Sequence, residues 1–231
     1  MKSVLGCYMC DEVATSREHV PPLCLFPEEK DTGNLNFRKD LITVPSCHLH
    51  NGKKSRDDEY LMASLAGIVG NNYLALFHTR TKVRRGLEKS GMNYEQLVLT
   101  NPQKITVKLT DGEDHQVFLG LADNSKLEKC LKHVAFGLYY FEFKKRFIGE
   151  YNIVIDFVKD FDIDYEREKV EIKKIFDLQA VNWKVKGSNP AVFKYQFGVG
   201  DDFGIPLKMT FYEGSIVYVS FQNPSPETDL K

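Results

Sequence analysis

Two spaced pairs of side chains constrain this chain more than any other feature: Cys7-Tyr-Met-Cys10 and, dozens of residues later, Cys47-His-Leu-His50. A two-residue gap lets one tight turn aim two side chains at a single ion. Thiolate with imidazole is the donor set that borderline-soft zinc favours. One pair alone is weak evidence. Two pairs around a segment with little core of its own predict a structural zinc held by Cys7, Cys10, Cys47 and His50. His48 competes for the fourth place, but it adjoins Cys47, and adjacent residues leave a turn in different directions. Cys24 and Cys130 have no partner at ligand spacing and are read as structural. Five cysteines, an odd count in a chain without an export signal, argue against a disulfide framework.

The segment up to Asn51 explains why a metal is needed. Its apolar runs are short and interrupted by prolines, which predicts small strands and loops that burial alone cannot hold. From Lys54 the pattern changes. Tyr60, Leu61, Leu65, Ile68, Val69, Leu74 and Phe77 recur at helical intervals, so a helix or helix pair is expected to run on to Ser90-Gly91. Ile105, Val107 and Leu109 alternate with polar residues before Asp111-Gly112, which predicts a β-hairpin over about 104–119. Leu127, Leu131, Val134, Ala135, Leu138 and Tyr139 form a helical stripe within about 125–147. Strict alternation over about 192–221 predicts neighbouring antiparallel strands with one buried face. The tail from Asn223 is expected to fray. His133, in the apolar helix, is expected to be a packed residue. The fold class is therefore α+β. A small zinc-stapled ββα module in 1–65 precedes a larger domain of helices and antiparallel strands in 66–231, with helices about 66–90 and 125–147.

Charge bounds the partners. The formal net charge is only −1, yet Lys53, Lys54, Arg56, Arg80, Lys82, Arg84 and Arg85 crowd the first third of the chain. A basic face of this kind can meet a polyanion while the molecule stays near neutral. The run from Arg80 to Arg85 reads equally as an extension of such a face or as cations complementing a helix C-terminus. No apolar stretch reaches the length of a membrane span or signal peptide, so a cytoplasmic protein without membrane contact is expected.

Taken in order, Cys7-x-x-Cys10, Arg17-Glu18-His19-Val20-Pro21-Pro22 and Leu41-Ile-Thr-Val-Pro45-Ser-Cys47-x-x-His50-Asn51-x-x-Lys54 resemble the HNH endonuclease motif with its zinc knuckles, the ββα-metal fold. The resemblance covers Gly6 to about Leu65. It implies a metal-dependent endonuclease hydrolysing phosphodiester bonds in nucleic acid, DNA favoured, with His19 as general base. It also implies that Glu18 and Asn51 hold a catalytic Mg²⁺ or other divalent ion, separate from the structural zinc. The family usually has aspartate where this chain has Glu18, and asparagine in the middle of the motif where this chain offers Asp40. Lys53, Lys54 and Arg56 follow the last ligand and are candidate phosphate contacts. The bare chemistry agrees: an imidazole titrating near neutrality suits proton abstraction from water. The rival reading keeps the module without the chemistry, as a non-catalytic zinc unit that binds nucleic acid or a protein. In either case the C-terminal domain could carry a homo-oligomer contact or a regulatory partner.

Overall fold

The computed structural model describes residues 5–52, 55–90, 97–108, 112–160, 162–202 and 204–222. Its largest element grows from the alternating C-terminal strands. β5 (Glu150–Ile155), β6 (Lys186–Asn189), β7 (Phe193–Phe197), β8 (Ile205–Phe211) and β9 (Ser215–Gln222) form one antiparallel sheet in the order β5-β9-β8-β7-β6. The register sets Tyr195 opposite Met209 and Met209 opposite Val217. Because side chains alternate along a strand, Phe193, Tyr195, Leu207, Met209, Val217, Val219 and Phe221 share one face. All seven are buried.

That face is covered by helix α5 (Asn124–Phe143), whose Phe136 and Tyr139 rings meet Phe221 at 5.7 and 5.0 Å. Asp123 caps its first turn by accepting from the Lys126 N–H, and Lys144, left-handed at φ 55°, ends it. The opposite face of the sheet carries α6 (Ile163–Ala180), through Phe176 on Tyr218 and through Asp177, which accepts from Lys208 and Tyr218. α6 lay outside the elements expected from sequence. Only Lys169 and Ala180 are buried in it, so its apolar periodicity is faint. Its start was nonetheless legible, since Asp162 caps Asp164 and Tyr165 and acidic residues fill the first turn.

The expected helix or helix pair after the module is a broken series. α2 (Ser55–Ala66) stops, and the chain restarts at α3 (Tyr73–His78), where Asn72 accepts from the Ala75 N–H. A π-helical turn (Thr79–Val83) then leads into α4 (Arg84–Ser90). The Thr79 and Thr81 hydroxyls donate to the Ala75 and Phe77 carbonyls, a back-bonding that competes with the regular ladder. The predicted hairpin forms from β3 (Leu99–Lys108) and β4 (Asp114–Ala122), with a register break between Thr100 and Gln103. Asn101, at φ 50°, and Pro102 occupy that break. Leu109 of the expected strand and Asp111 of the expected turn lie outside the described residues, as do Gly91 and the tail from Asn223.

At the N-terminus β1 (Ser16–His19) pairs antiparallel with β2 (Thr43–Ser46), and the short α1 (His48–Asn51) follows, which is the expected ββα order. The hairpin has no core to itself. One continuous cluster of buried apolar residues runs from Cys7 to Phe221. Val20 fills a notch over Gly137 of α5, and the Tyr212 hydroxyl donates to the Leu25 carbonyl at 2.5 Å.

Candidate metal centre

The first knuckle is a tight loop, closed by the Cys7 N–H to the Glu12 carbonyl (2.8 Å) and the Ala14 N–H to the Leu5 carbonyl (2.9 Å). The Met9 N–H points back at Cys7 Sγ (3.5 Å), and the Tyr8 N–H donates to the Pro45 carbonyl (2.9 Å), tying the loop to β2. The second pair is placed by α1: Cys47 stands at its N-cap position and His50 one turn on. Together Cys7, Cys10, Cys47 and His50 bring one ligand atom each within 4.8 Å of all the others.

Their spacing fits zinc. Tetrahedral geometry with Zn–S of about 2.3 Å and Zn–N of about 2.0 Å requires S···S near 3.8 Å and S···N near 3.5 Å. Cys10 and Cys47 lie 3.8 Å apart, and His50 Nδ1 lies 3.6, 3.5 and 3.2 Å from the sulfurs of Cys7, Cys10 and Cys47. Nδ1 is therefore the donor nitrogen. His48 is exposed and stays out of the cluster, which settles the competition in favour of His50. Burial, reinforced by the neighbouring Cys47 and Cys7, pushes the Cys10 thiol up to about 11. A divalent ion must displace that proton, so loading releases acid and weakens as pH falls.

A residue from α5 completes the surroundings. The fully buried Tyr8 hydroxyl is 3.1 Å from His133 Nδ1, and the His133 ring lies 5.7 Å from the His50 ring. His133 is packed, as its apolar helix suggested, and what it packs against is a candidate metal ligand. Long-range neighbours of this kind leave no local signature in sequence.

The remaining predicted site residues gather around the hairpin. Strand alternation turns Glu18 inward with Val44 and Ser46, where it is 4% exposed. His19, one residue on, faces the other way with Arg17 and Thr43 and is half-buried. Burial lowers the His19 imidazole below its ordinary value, and the Arg38 charge adds to this. Asn51 donates from its amide nitrogen to Ser16 Oγ (2.8 Å) and to the Arg17 carbonyl (3.2 Å), pinning α1 to β1. Asp40 is exposed in a left-handed turn (φ 54°) three residues before β2, and its carbonyl accepts from Ser188 (2.6 Å). Arg56 is exposed on α2, and Lys53 and Lys54 lie outside the described residues.

For a second, hard cation the donors are not assembled. Among the described residues the Cys₃His group alone gathers three or more potential Cys, His, Asp or Glu ligands. Glu18 and His19 point to opposite faces, and Asn51 has turned its amide nitrogen to β1.

Within the basic run, Lys82, Arg84 and Arg85 are held in ion pairs. Arg85 forms a two-pronged pair with Asp31 (2.7 and 2.6 Å) and reaches Glu28 (3.1 Å), while Lys82 also pairs with Glu28 and Arg84 with Glu88. With Lys30 first, then Lys82 and Arg38, these cations hold the Glu28 carboxyl at about 2. Lys82 and Arg85 thus clamp the helical series onto the loop between β1 and β2.

Compared with protein-family models, curated proteins and solved structures, the chain matches none of them. Among the described residues, no helix is long and apolar enough to cross a membrane.

Proposed function

We propose that the chain is an HNH-type endonuclease that hydrolyses phosphodiester bonds in nucleic acid, DNA by preference, with His19 as general base. One observation carries this reading: a half-exposed imidazole, biased to its neutral form, stands on the less buried face of the hairpin beside the candidate Cys₃His centre. Neutral imidazole at working pH is what proton abstraction from water requires. The zinc is structural in this scheme: Cys7, Cys10, Cys47 and His50 complete its coordination and leave no position for substrate. Asn51 acts by fixing α1 against β1, beside the base. The divalent-ion requirement, with Glu18 and Asn51 as ligands, rests on the resemblance alone, and such an ion when bound would neutralise charge on the phosphate. Lys53, Lys54 and Arg56 belong to the same proposal as phosphate contacts, and partner or subunit contacts through the C-terminal domain are part of it as well.

Plasmid DNA incubated with Mg²⁺ or Mn²⁺ tests the reading. Nicking by the parent and loss in His19→Ala are expected; equal cutting by both sinks the mechanism. A second reading, a non-catalytic nucleic-acid-binding zinc module, is favoured by the unassembled hard-cation donors. Titration of the zinc-loaded protein with Mn²⁺ separates the two, since a saturable second ion near His19 belongs to the enzyme only.

A further inference from the structure

The face of the β1–β2 hairpin that bears His19 carries one more charged group, Arg17. Arg17 is exposed and stands two residues before His19, so both side chains leave the same face of β1. Its guanidinium is already held. Nε donates to Thr43 Oγ1 (2.8 Å) and Nη2 to the Thr43 carbonyl (2.9 Å), and Thr43 is the direct cross-strand partner of His19. Arg17 therefore leans along the strand toward the base.

We propose that Arg17 is the phosphate anchor of this face, binding the nucleic-acid backbone next to the group that His19 attacks through water. A guanidinium has five N–H donors in a fixed fork. Thr43 takes one from Nε and one from Nη2, which leaves the Nη1/Nη2 edge for two oxygens of one phosphate. Two consequences follow from the Thr43 bonds. The side chain arrives pre-positioned, so binding phosphate costs less rotamer entropy than for a free surface arginine. The anchored edge also holds the free edge on the strand face that bears His19. A lysine could supply the charge but neither the fork nor the hold on Thr43.

The proposal rests on the reading of this face as a nucleic-acid site but needs no catalysis, so binding tests it apart from cleavage. The experiment measures affinity of the zinc-loaded full chain, in a His19→Ala background that leaves the probe intact, for a labelled DNA duplex across a range of salt concentrations. Arg17→Gln is expected to weaken binding about ten-fold or more, and to lower the slope of log affinity against log salt by about one. Arg17→Lys is expected to keep the slope and recover only part of the affinity. Thr43→Val, which retains shape and charge, is expected to keep the slope while losing affinity through the freed guanidinium. Circular dichroism and one zinc per chain in each variant exclude unfolding as the cause. A parent that cuts and binds DNA while Arg17→Gln keeps both affinity and slope overturns this proposal and leaves the nuclease reading standing. A parent that binds no oligonucleotide overturns both.

Discussion

Gly137 offers the sharpest quantitative test of how the hairpin meets the rest of the molecule. A Cβ built there would lie 2.6, 3.0 and 3.3 Å from Cγ2, Cγ1 and Cβ of Val20, the residue that follows His19. All three contacts come from one β-branched side chain, which is stiff at χ1, so no rotamer swap relieves them. Two effects oppose each other in Gly137→Ala. Helix propensity gains about 1 kcal/mol, and overpacking costs about 1–3 kcal/mol. Because the nearest contact is one that real side chains do not show, overpacking should win, with a net loss of about 1 kcal/mol and a fall in Tm of about 2–4 °C. Val20→Ala alone should cost about 2–3 kcal/mol, from two lost methyl groups and the space they leave. In the double variant the new methyl enters that space and the propensity gain is unopposed. It should be no less stable than Val20→Ala, and the two sites should couple by about 2 kcal/mol, within the range seen for residues in contact. Urea unfolding of the four zinc-loaded proteins measures the cycle. Additivity within about 0.5 kcal/mol, or a Gly137→Ala protein more stable than the parent, refutes the packing argument.

Metal analysis is expected to find one zinc per parent chain; replacing Cys47 by Ser removes one of the four candidate donors and should abolish that zinc and the hydrogen-exchange protection of the β1–β2 segment. His133→Ala should lower zinc affinity in chelator competition, because it removes the ring against which His50 rests and the partner of the buried Tyr8 hydroxyl. Cleavage should rise with pH through an apparent value below the ordinary 6.5 of histidine and then level off, because burial and then Arg38 depress His19; Arg38→Gln should move the rise upward. His78 is fully buried, donates from Nε2 to the Cys24 carbonyl (3.0 Å), and is held at about 4 chiefly by burial. Its depressed folded value means stability is complete above about pH 6.5 and is lost as pH falls toward 4, by about 3 kcal/mol. Urea unfolding against pH should show that loss in the parent and a shallower one in His78→Leu.

What could be read in advance follows from the range of each physical cause. Ligand spacing is local, so Cys7, Cys10, Cys47 and His50 were legible, and even the choice against His48 followed from the geometry of one turn. Two-residue alternation is local as well, and it marked the β3–β4 hairpin and the strands β7, β8 and β9, whereas β5 and β6 of the same large sheet fell outside it. α6 was missed because a helix lying on the outside of a sheet buries so few positions that its period hardly registers; the Asp162 cap was the signal to use. The task of Lys82 and Arg85 depended on Glu28 and Asp31, more than fifty residues away in sequence, so no window along the chain contains it. His133 and Arg17 escaped for the same reason. Their partners, His50 and Thr43, are brought by tertiary folding and cross-strand register respectively.

The seam formed by Tyr8, His133 and His50 bears on how this chain could be dissected or recombined. The knuckle ligands come from the first fifty residues, but the wall against which His50 rests is donated by α5. A fragment cut at residue 65 would carry every ligand and still present the ring of His50 and the Tyr8 hydroxyl to water. The complementary fragment would keep an empty groove over Gly137. The N-terminal segment is thus no portable cassette, and a chimera that grafts it elsewhere needs to bring α5 along or rebuild its inner surface.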